Sequence, residues 1–290
     1  MSRSRFSRFA VVSLILLNAW ACGGCAAMRN GPSGWSQRAS HSLMQSGLAA
    51  QEAGQLNEAY LSLAGAVKIC PQNVEARRRY AEYLWENGER KAALEQMWVA
   101  IKLQPDDATM RRRVAAMLLD MNDLDEALLA ASDAVKLDPG NARAWFLRGK
   151  AFELSGREED AIVSYQRAAG CEPGNIEVRE AMALLYLRRG HPEQAILTIH
   201  TLIDQTTDEQ NLATAHLMEG RIYAYLQRAD DAMRCFAESH RLRPTDETGQ
   251  ILLAFQRYNT GVSRSGDVPD TSTSRVQIAA QNEPLPTTRR

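Results

Sequence analysis

An all-α fold built from repeated helical hairpins is predicted by three observations on this 290-residue chain. Pro71, Pro105, Pro139 and Pro173 stand 34 residues apart, three times in succession, and a recurring spacing of that length is the mark of a repeat array. Counting back from each Pro, small residues recur in register: Ala59, Ala93, Ala127 and Ala161 in one slot, Ala66, Ala100, Ala134 and Ala168 in a second, Gly47, Ala81, Ala115 and Gly149 in a third. Small side chains let two helices approach closely, so these slots mark where helices touch. Gly54, Gly88 and Gly156, with Asn122 in the same slot, fall between the paired helices. Gly and Asn accept the left-handed backbone that ends a helix, so the order of slots reads helix, turn, helix, turn.

The chain opens with Arg3, Arg5 and Arg8, then an apolar run from Phe9 to Leu17, then small residues and Cys22, Gly23, Gly24 and Cys25. A basic head, a short apolar middle and a small-residue end describe an export signal over residues 1–25. The run is too short to span a membrane as a mature helix, which takes roughly 20 apolar residues. Residues 26–39, with Gly31, Pro32, Ser33 and Gly34, read as a flexible tether.

Four in-phase units follow at 40–73, 74–107, 108–141 and 142–175. Each closes with Pro and, two residues later, Asn73, Asp107, Asn141 or Asn175, whose side chains are placed to accept the free amide hydrogens of the next helix, worth about 0.5 to 2 kcal/mol each. A fifth unit over 176–212 keeps Ala183, Tyr186, Gly190 and Ala195 but has Thr207 where Pro is expected. A sixth, starting at Ala213 after three extra residues and running to 246, keeps Gly220, Tyr223, Ala232, Phe236 and Pro244. Asp246 is expected to cap a last amphipathic helix over 247–258, carrying Ile251, Leu252, Phe255 and Tyr258. Residues 259–290 lack apolar periodicity and read as a disordered tail.

The fourth unit supplies Trp145, Gly149, Phe152, Ala161, Tyr165 and Pro173 in the order of the tetratricopeptide repeat, which it resembles, departing from that pattern at Arg148, where Leu is expected. The resemblance covers residues 40–258 and implies a right-handed superhelical solenoid of about six repeats with a C-terminal capping helix, whose first helices line a concave groove. The small residues before Cys25 resemble the lipobox of bacterial lipoproteins, in which a Cys becomes the lipidated N-terminus. That likeness makes Cys25 the lipidation site, with Cys22 as the alternative, and plain cleavage after Ala21 would give a soluble periplasmic product instead. Ala26 after the Cys resembles sorting to an outer membrane, with the chain facing the periplasm.

Projecting the first helices onto the groove of such a solenoid places Arg78, Glu82 and Trp85 on one helix, Arg112 on the next, and Phe146 and Lys150 on the third. Arg77-Arg78-Arg79 and Arg111-Arg112-Arg113 occupy matching slots, so Arg78 and Arg112 are candidate ligands for an acidic or extended peptide. Arg outnumbers Lys 29 to 5, however, and such side chains also cover apolar surface with their stems. Chaperone-binding members of the family clamp a carboxylate with paired Asn and Lys, but the Asn slots here hold Leu48, Glu82, Ala116, Lys150, Leu184 and Arg221.

No convergent catalytic set is legible. His41, His191, His200, His216 and His240 form no His-x-x-x-His pair, and no phosphate-binding Gly loop or Cys-x-x-Cys partner set exists. No enzyme, cofactor, metal site or small-molecule substrate is therefore expected. The formal charge of -1 hides a body, residues 40–260, with 25 basic against 32 acidic groups; a mildly acidic surface gives no field to attract nucleic acid. The expected partners are proteins or extended peptide segments, and the membrane through an N-terminal lipid anchor. The sequence thus reads as a non-catalytic interaction scaffold of the bacterial cell envelope, and exported proteins of this make-up, which it resembles, imply an assembly factor for a pilus or secretion machine. The alternative is a regulatory or docking subunit of a peptidoglycan or polysaccharide enzyme.

Overall fold

The structure, a computed structural model, describes residues 34–259, with the backbone alone at 246, 247 and 255–259. The expected export signal with Cys22 and Cys25, residues 26–33 of the expected tether, and the tail from 260 lie outside the described residues. The fold class is the one expected, an all-α helical-repeat solenoid: thirteen helices and no strand among the described residues. Contacts divide the chain into two units, one ending at Met110 and the other beginning at Arg111.

In the first unit, α1 (Gly34–Glu52) packs on α2 (Leu56–Ile69) and α3 (Val74–Glu86) on α4 (Arg90–Leu103). Met44, Ala59, Leu63, Ala66 and Tyr83 form its core. Gly47 is required here by close approach, because a Cβ at that position would lie 2.7 Å from Leu63 Cγ. The helix α5 (Ala108–Asp120) crosses the division, and the second unit continues through α6 (Leu124–Leu137), α7 (Ala142–Leu154), α8 (Glu158–Cys171), α9 (Ile176–Arg188), α10 (Pro192–Gln205), α11 (Glu209–Tyr225), α12 (Ala229–Leu242) and α13 (Asp246–Asn259). Within it α7 packs on α8, α9 on α10 and α11 on α12. All eight alanines of the first two small-residue slots are fully buried, so a larger side chain there has no free volume to enter.

The punctuation follows the sequence closely. Gly54, Gly88, Asn122 and Gly156 all have positive φ, as do Gly190 and, in the last hairpin, Gln227 at 59°. The side chains of Asn73, Asp107, Asn141 and Asn175 accept from the backbone amides of Ala76, Met110, Ala144 and Val178 at 3.0 to 3.2 Å.

Three boundaries differ from expectation. Helix α1 begins at Gly34, so residues 34–39 are helical rather than tether: nothing between Trp35 and Ser40 interrupts a helix, and the Ser40 hydroxyl anchors the segment by donating to the Ala66 carbonyl at 2.8 Å. Helix α11 has 17 residues where α3, α5, α7 and α9 have 13. The residues before Ala213 therefore extend the helix by about a turn, and the Asp208 side chain, accepting from Asn211 N at 2.9 Å, caps it. At the last helix the cap is Thr245, whose hydroxyl accepts from Thr248 N at 3.2 Å, and Asp246 is the first helical residue.

Candidate functional site

Arg78, Glu82 and Trp85 sit at spacings of four and three on α3, which puts them on one helical face. Arg78 is already engaged. Its Nε and Nη2 donate to the two carboxylate oxygens of Glu75 at 2.8 and 2.7 Å, and Arg79 donates to the same carboxylate at 2.8 Å. Burial pushes the Glu75 carboxyl up, but the hydrogen bonds from Arg78 and Arg79 outweigh it and hold the group below its ordinary range. Arg77 is directed to another surface, donating to the Pro71 carbonyl at 2.6 Å and to Gln96 at 2.7 Å. Two members of the arginine triplet thus share one carboxylate and the third is turned elsewhere, so the triplet is not one cationic patch. Trp85 is half-buried, with the Arg90 guanidinium 5.5 Å from its ring centroid.

An open pocket of about 500 Å³ lies in the first unit beside Arg78. Gln37 and His41 reach it from α1, Glu75 and Arg78 from α3, and Gln104 and Asp107 from the turn before α5. Cys70, Val74 and Met110 supply an apolar floor.

In the second unit Arg112, on α5, is half-buried, and Lys150, on α7, is exposed. Phe146 is the one groove candidate whose place corrects the reading. It is 4% exposed, its ring 5.6 Å from that of Tyr165 and beneath the Arg143 guanidinium. The reason is Gly149: a Cβ there would lie 2.6 Å from Tyr165 ring carbons, so the missing side chain lets the ring of Tyr165 come under α7 and gather Phe146 into the core. Glu153, also on α7, accepts the Tyr165 hydroxyl at 2.5 Å and is paired with Arg188 of α9. Burial, then the Glu153 charge, push the Tyr165 phenol well above its ordinary range. On the first helices of these repeats, the exposed apolar side chains include Leu154 on α7, Leu184 on α9 and Tyr225 on α11.

One cluster escaped the sequence. Glu219, 7% exposed, accepts from or pairs with His200 Nε2 at 2.7 Å and His216 Nδ1 at 3.2 Å. Burial raises the Glu219 carboxyl, but hydrogen bonds from His216, His200 and Cys235 leave it below its ordinary value. Burial, then the Glu219 charge, push the Cys235 thiol up to about 12, which keeps it protonated and a poor nucleophile. The His216–Glu219 spacing was visible, but His200 lies across the irregular 206–208 connection, where counting by 34 slips by three. The imidazoles and the thiol point at the carboxylate itself, and among the described residues no group of three or more His, Cys, Asp or Glu is arranged to hold a metal ion. Among those residues, too, no helix is long and apolar enough to cross a membrane.

A family model for the tetratricopeptide repeat matches residues 117–176, spanning the third and fourth units. Those residues carry the tetratricopeptide repeat. Solved structures of this repeat class resemble the chain over most of its length. PilW, described as a widely conserved type IV pilus biogenesis factor, is 20% identical with a TM-score of 0.58, covering 74% of this chain and 98% of PilW. PilF of Pseudomonas aeruginosa is 19% identical with a TM-score of 0.56, covering 76% of this chain and 98% of PilF. MamA is 19% identical with a TM-score of 0.53 over 57% of this chain and 91% of its own. The TM-scores show a shared helical-repeat fold. No curated protein matches the sequence.

Proposed function

We propose that this tetratricopeptide repeat protein is a non-catalytic protein-interaction scaffold, exported and lipid-anchored through Cys25 or Cys22, that holds partner proteins or extended peptide segments during assembly of a pilus or secretion machine. The observation that carries the proposal is the fold shared with PilF and PilW, 98% of each of whose chains is covered by the match. The basic head, apolar run and small-residue Cys motif of residues 1–25 support export. The engaged state of the ionisable groups supports a scaffold over an enzyme: Glu75, Glu153 and Glu219 are each tied into packing contacts, and the Cys235 thiol is held protonated. Arg78, Glu82 and Trp85 in the first unit, and Arg112 and Lys150 in the second, are the proposed partner-contacting side chains; Phe146, buried against Tyr165, is not one of them.

The test is a deletion strain assayed for assembled surface pili and for secretin multimers, with intact-mass analysis of the protein in the membrane fraction. Lost assembly restored by the wild-type gene, together with an acylated N-terminal Cys, is expected. Normal assembly in the deletion strain contradicts the assembly role, and an unlipidated soluble product removes the anchor.

A further inference from the structure

We infer that the first-unit pocket takes a cationic side chain, Lys or Arg, from an extended partner segment, the reverse of the acidic ligand that the arginine triplets suggest. The inference rests on the peptide-binding reading above and adds the sign of the charge recognised. Of the charged groups lining the pocket, Arg78 is held to Glu75 by two hydrogen bonds, and Arg79, outside the lining, donates a third to the same carboxylate, so Glu75 offers a ligand no free charge. What remains is the Asp107 carboxylate, with one oxygen taken by the Met110 amide and the other open to a ligand. Gln37 and Gln104 add amide oxygens that accept hydrogen bonds from a cation, and His41 is a further acceptor in its neutral form. Val74 and Met110 give the floor the apolar character that the stem of a Lys or Arg packs on. The helix N-termini of α3 and α5 that border the pocket favour anions. One amide of each, Ala76 N and Met110 N, is already met by the side chains of Asn73 and Asp107, however, and two carboxylates stand where an anion would have to sit.

The structure also supplies two variants that separate charge from fold. Asp107→Asn keeps the helix cap, since Asn73, Asn141 and Asn175 fill the same slot with Asn, while removing the charge. Glu75→Gln releases Arg78 from its bidentate partner. The probes are fluorescein-labelled nonapeptides identical except for a central Leu-Arg-Leu, Leu-Lys-Leu, Leu-Glu-Leu or Leu-Ala-Leu, titrated by anisotropy against the full chain at low and high salt. The Arg and Lys peptides are expected to bind about fivefold more tightly than the Glu peptide, the difference shrinking with salt. Asp107→Asn should abolish the preference with unchanged circular dichroism, and Glu75→Gln should turn it toward the Glu peptide. A parent chain that binds the Glu peptide as well or better, or a preference untouched by Asp107→Asn, overturns the inference and leaves the scaffold standing. Absence of binding to all four peptides also overturns it; the scaffold falls as well only if the deletion strain assembles normally.

Discussion

The fourth and sixth repeats solve one packing problem identically and another in opposite ways. In both, a glycine of the first helix lies against a large ring of the second: a Cβ at Gly149 or at Gly220 would lie 2.6 Å from carbons of Tyr165 or Phe236. In both, the residue one position earlier is ionisable, Arg148 in the fourth and Glu219 in the sixth, in the slot that holds Tyr80, Val114 and Met182 elsewhere. Arg148 is accommodated by aromatic faces, its guanidinium 5.2 Å from the centroids of both Trp145 and Phe152, and its buried Nε meets no acceptor among the described residues. Glu219 is accommodated by hydrogen bonds to His200 and His216. The comparison teaches that the ring-against-glycine contact fixes the hairpin, while the neighbouring slot tolerates either charge if its surroundings supply the matching physics.

The largest effect should come from breaking what the two repeats share. Gly149→Ala and Gly220→Ala each gain about 1 kcal/mol of helix propensity, yet each should destabilise the chain by up to about 3 kcal/mol, because the ring beneath cannot retreat from a packed core. Urea melts that place either variant at or above the parent would show that the ring has somewhere to go. Gly65, whose Cβ would meet Leu43 Cδ1 at an ordinary 3.5 Å, is the control, and Gly65→Ala should be neutral or slightly stabilising.

The next effect separates the repeats. Glu219→Gln should cost about 1 to 2 kcal/mol at neutral pH, and the cost should depend on pH. The folded carboxyl lies below its ordinary 4.5, so its contribution is complete above the unfolded value and is lost as pH falls through the lowered folded value. The gap between parent and variant melting temperatures should therefore close on acidification below about pH 4.5. A gap that stays constant from pH 7 to 3 would mean that Glu219 is not the charged acceptor described here. Arg148→Leu, by contrast, replaces a half-satisfied cation with the residue the repeat pattern expects, and should be neutral or stabilising by about 1 kcal/mol at any pH; a loss above that amount would assign the aromatic stacking a larger role.

The smallest effect is at a turn. Gln227 holds the left-handed conformation at φ 59° that Gly156 holds in the fourth repeat. Gln227→Gly relieves a strain of about 1 to 2 kcal/mol and loses part of it to unfolded-chain entropy, leaving a gain of about 0.5 kcal/mol. Differential scanning calorimetry would detect the corresponding rise in melting temperature, and a fall would argue that the Gln side chain contributes more than its backbone costs.

What the sequence made legible follows the same division. The helices, four left-handed turn residues and four caps were readable because each is specified locally, by one residue type at a fixed offset. The start of α11 was not, because its extra turn replaces a proline-marked boundary with Thr206, Thr207 and Asp208, and Asp208 is recognisable as a cap only once the offset is known. The site was harder to read than the fold. Which face a residue occupies follows from periodicity, but the use of Arg78 by Glu75 and the burial of Phe146 over Tyr165 depend on side-chain partners that slot arithmetic does not supply. The same limitation hid the His200–Glu219 contact across the irregular connection.

The scaffold account is tested most directly by site-specific photo-crosslinking in living cells, with the probe residue placed at Lys150, exposed on the first helix of the fourth repeat, and separately at Leu197, 66% exposed on the second helix of the fifth. A discrete adduct at position 150, identified by mass spectrometry as a pilus or secretion-machine component and absent at position 197, is the predicted result. No adduct at position 150, or the same adducts at both positions, would contradict it.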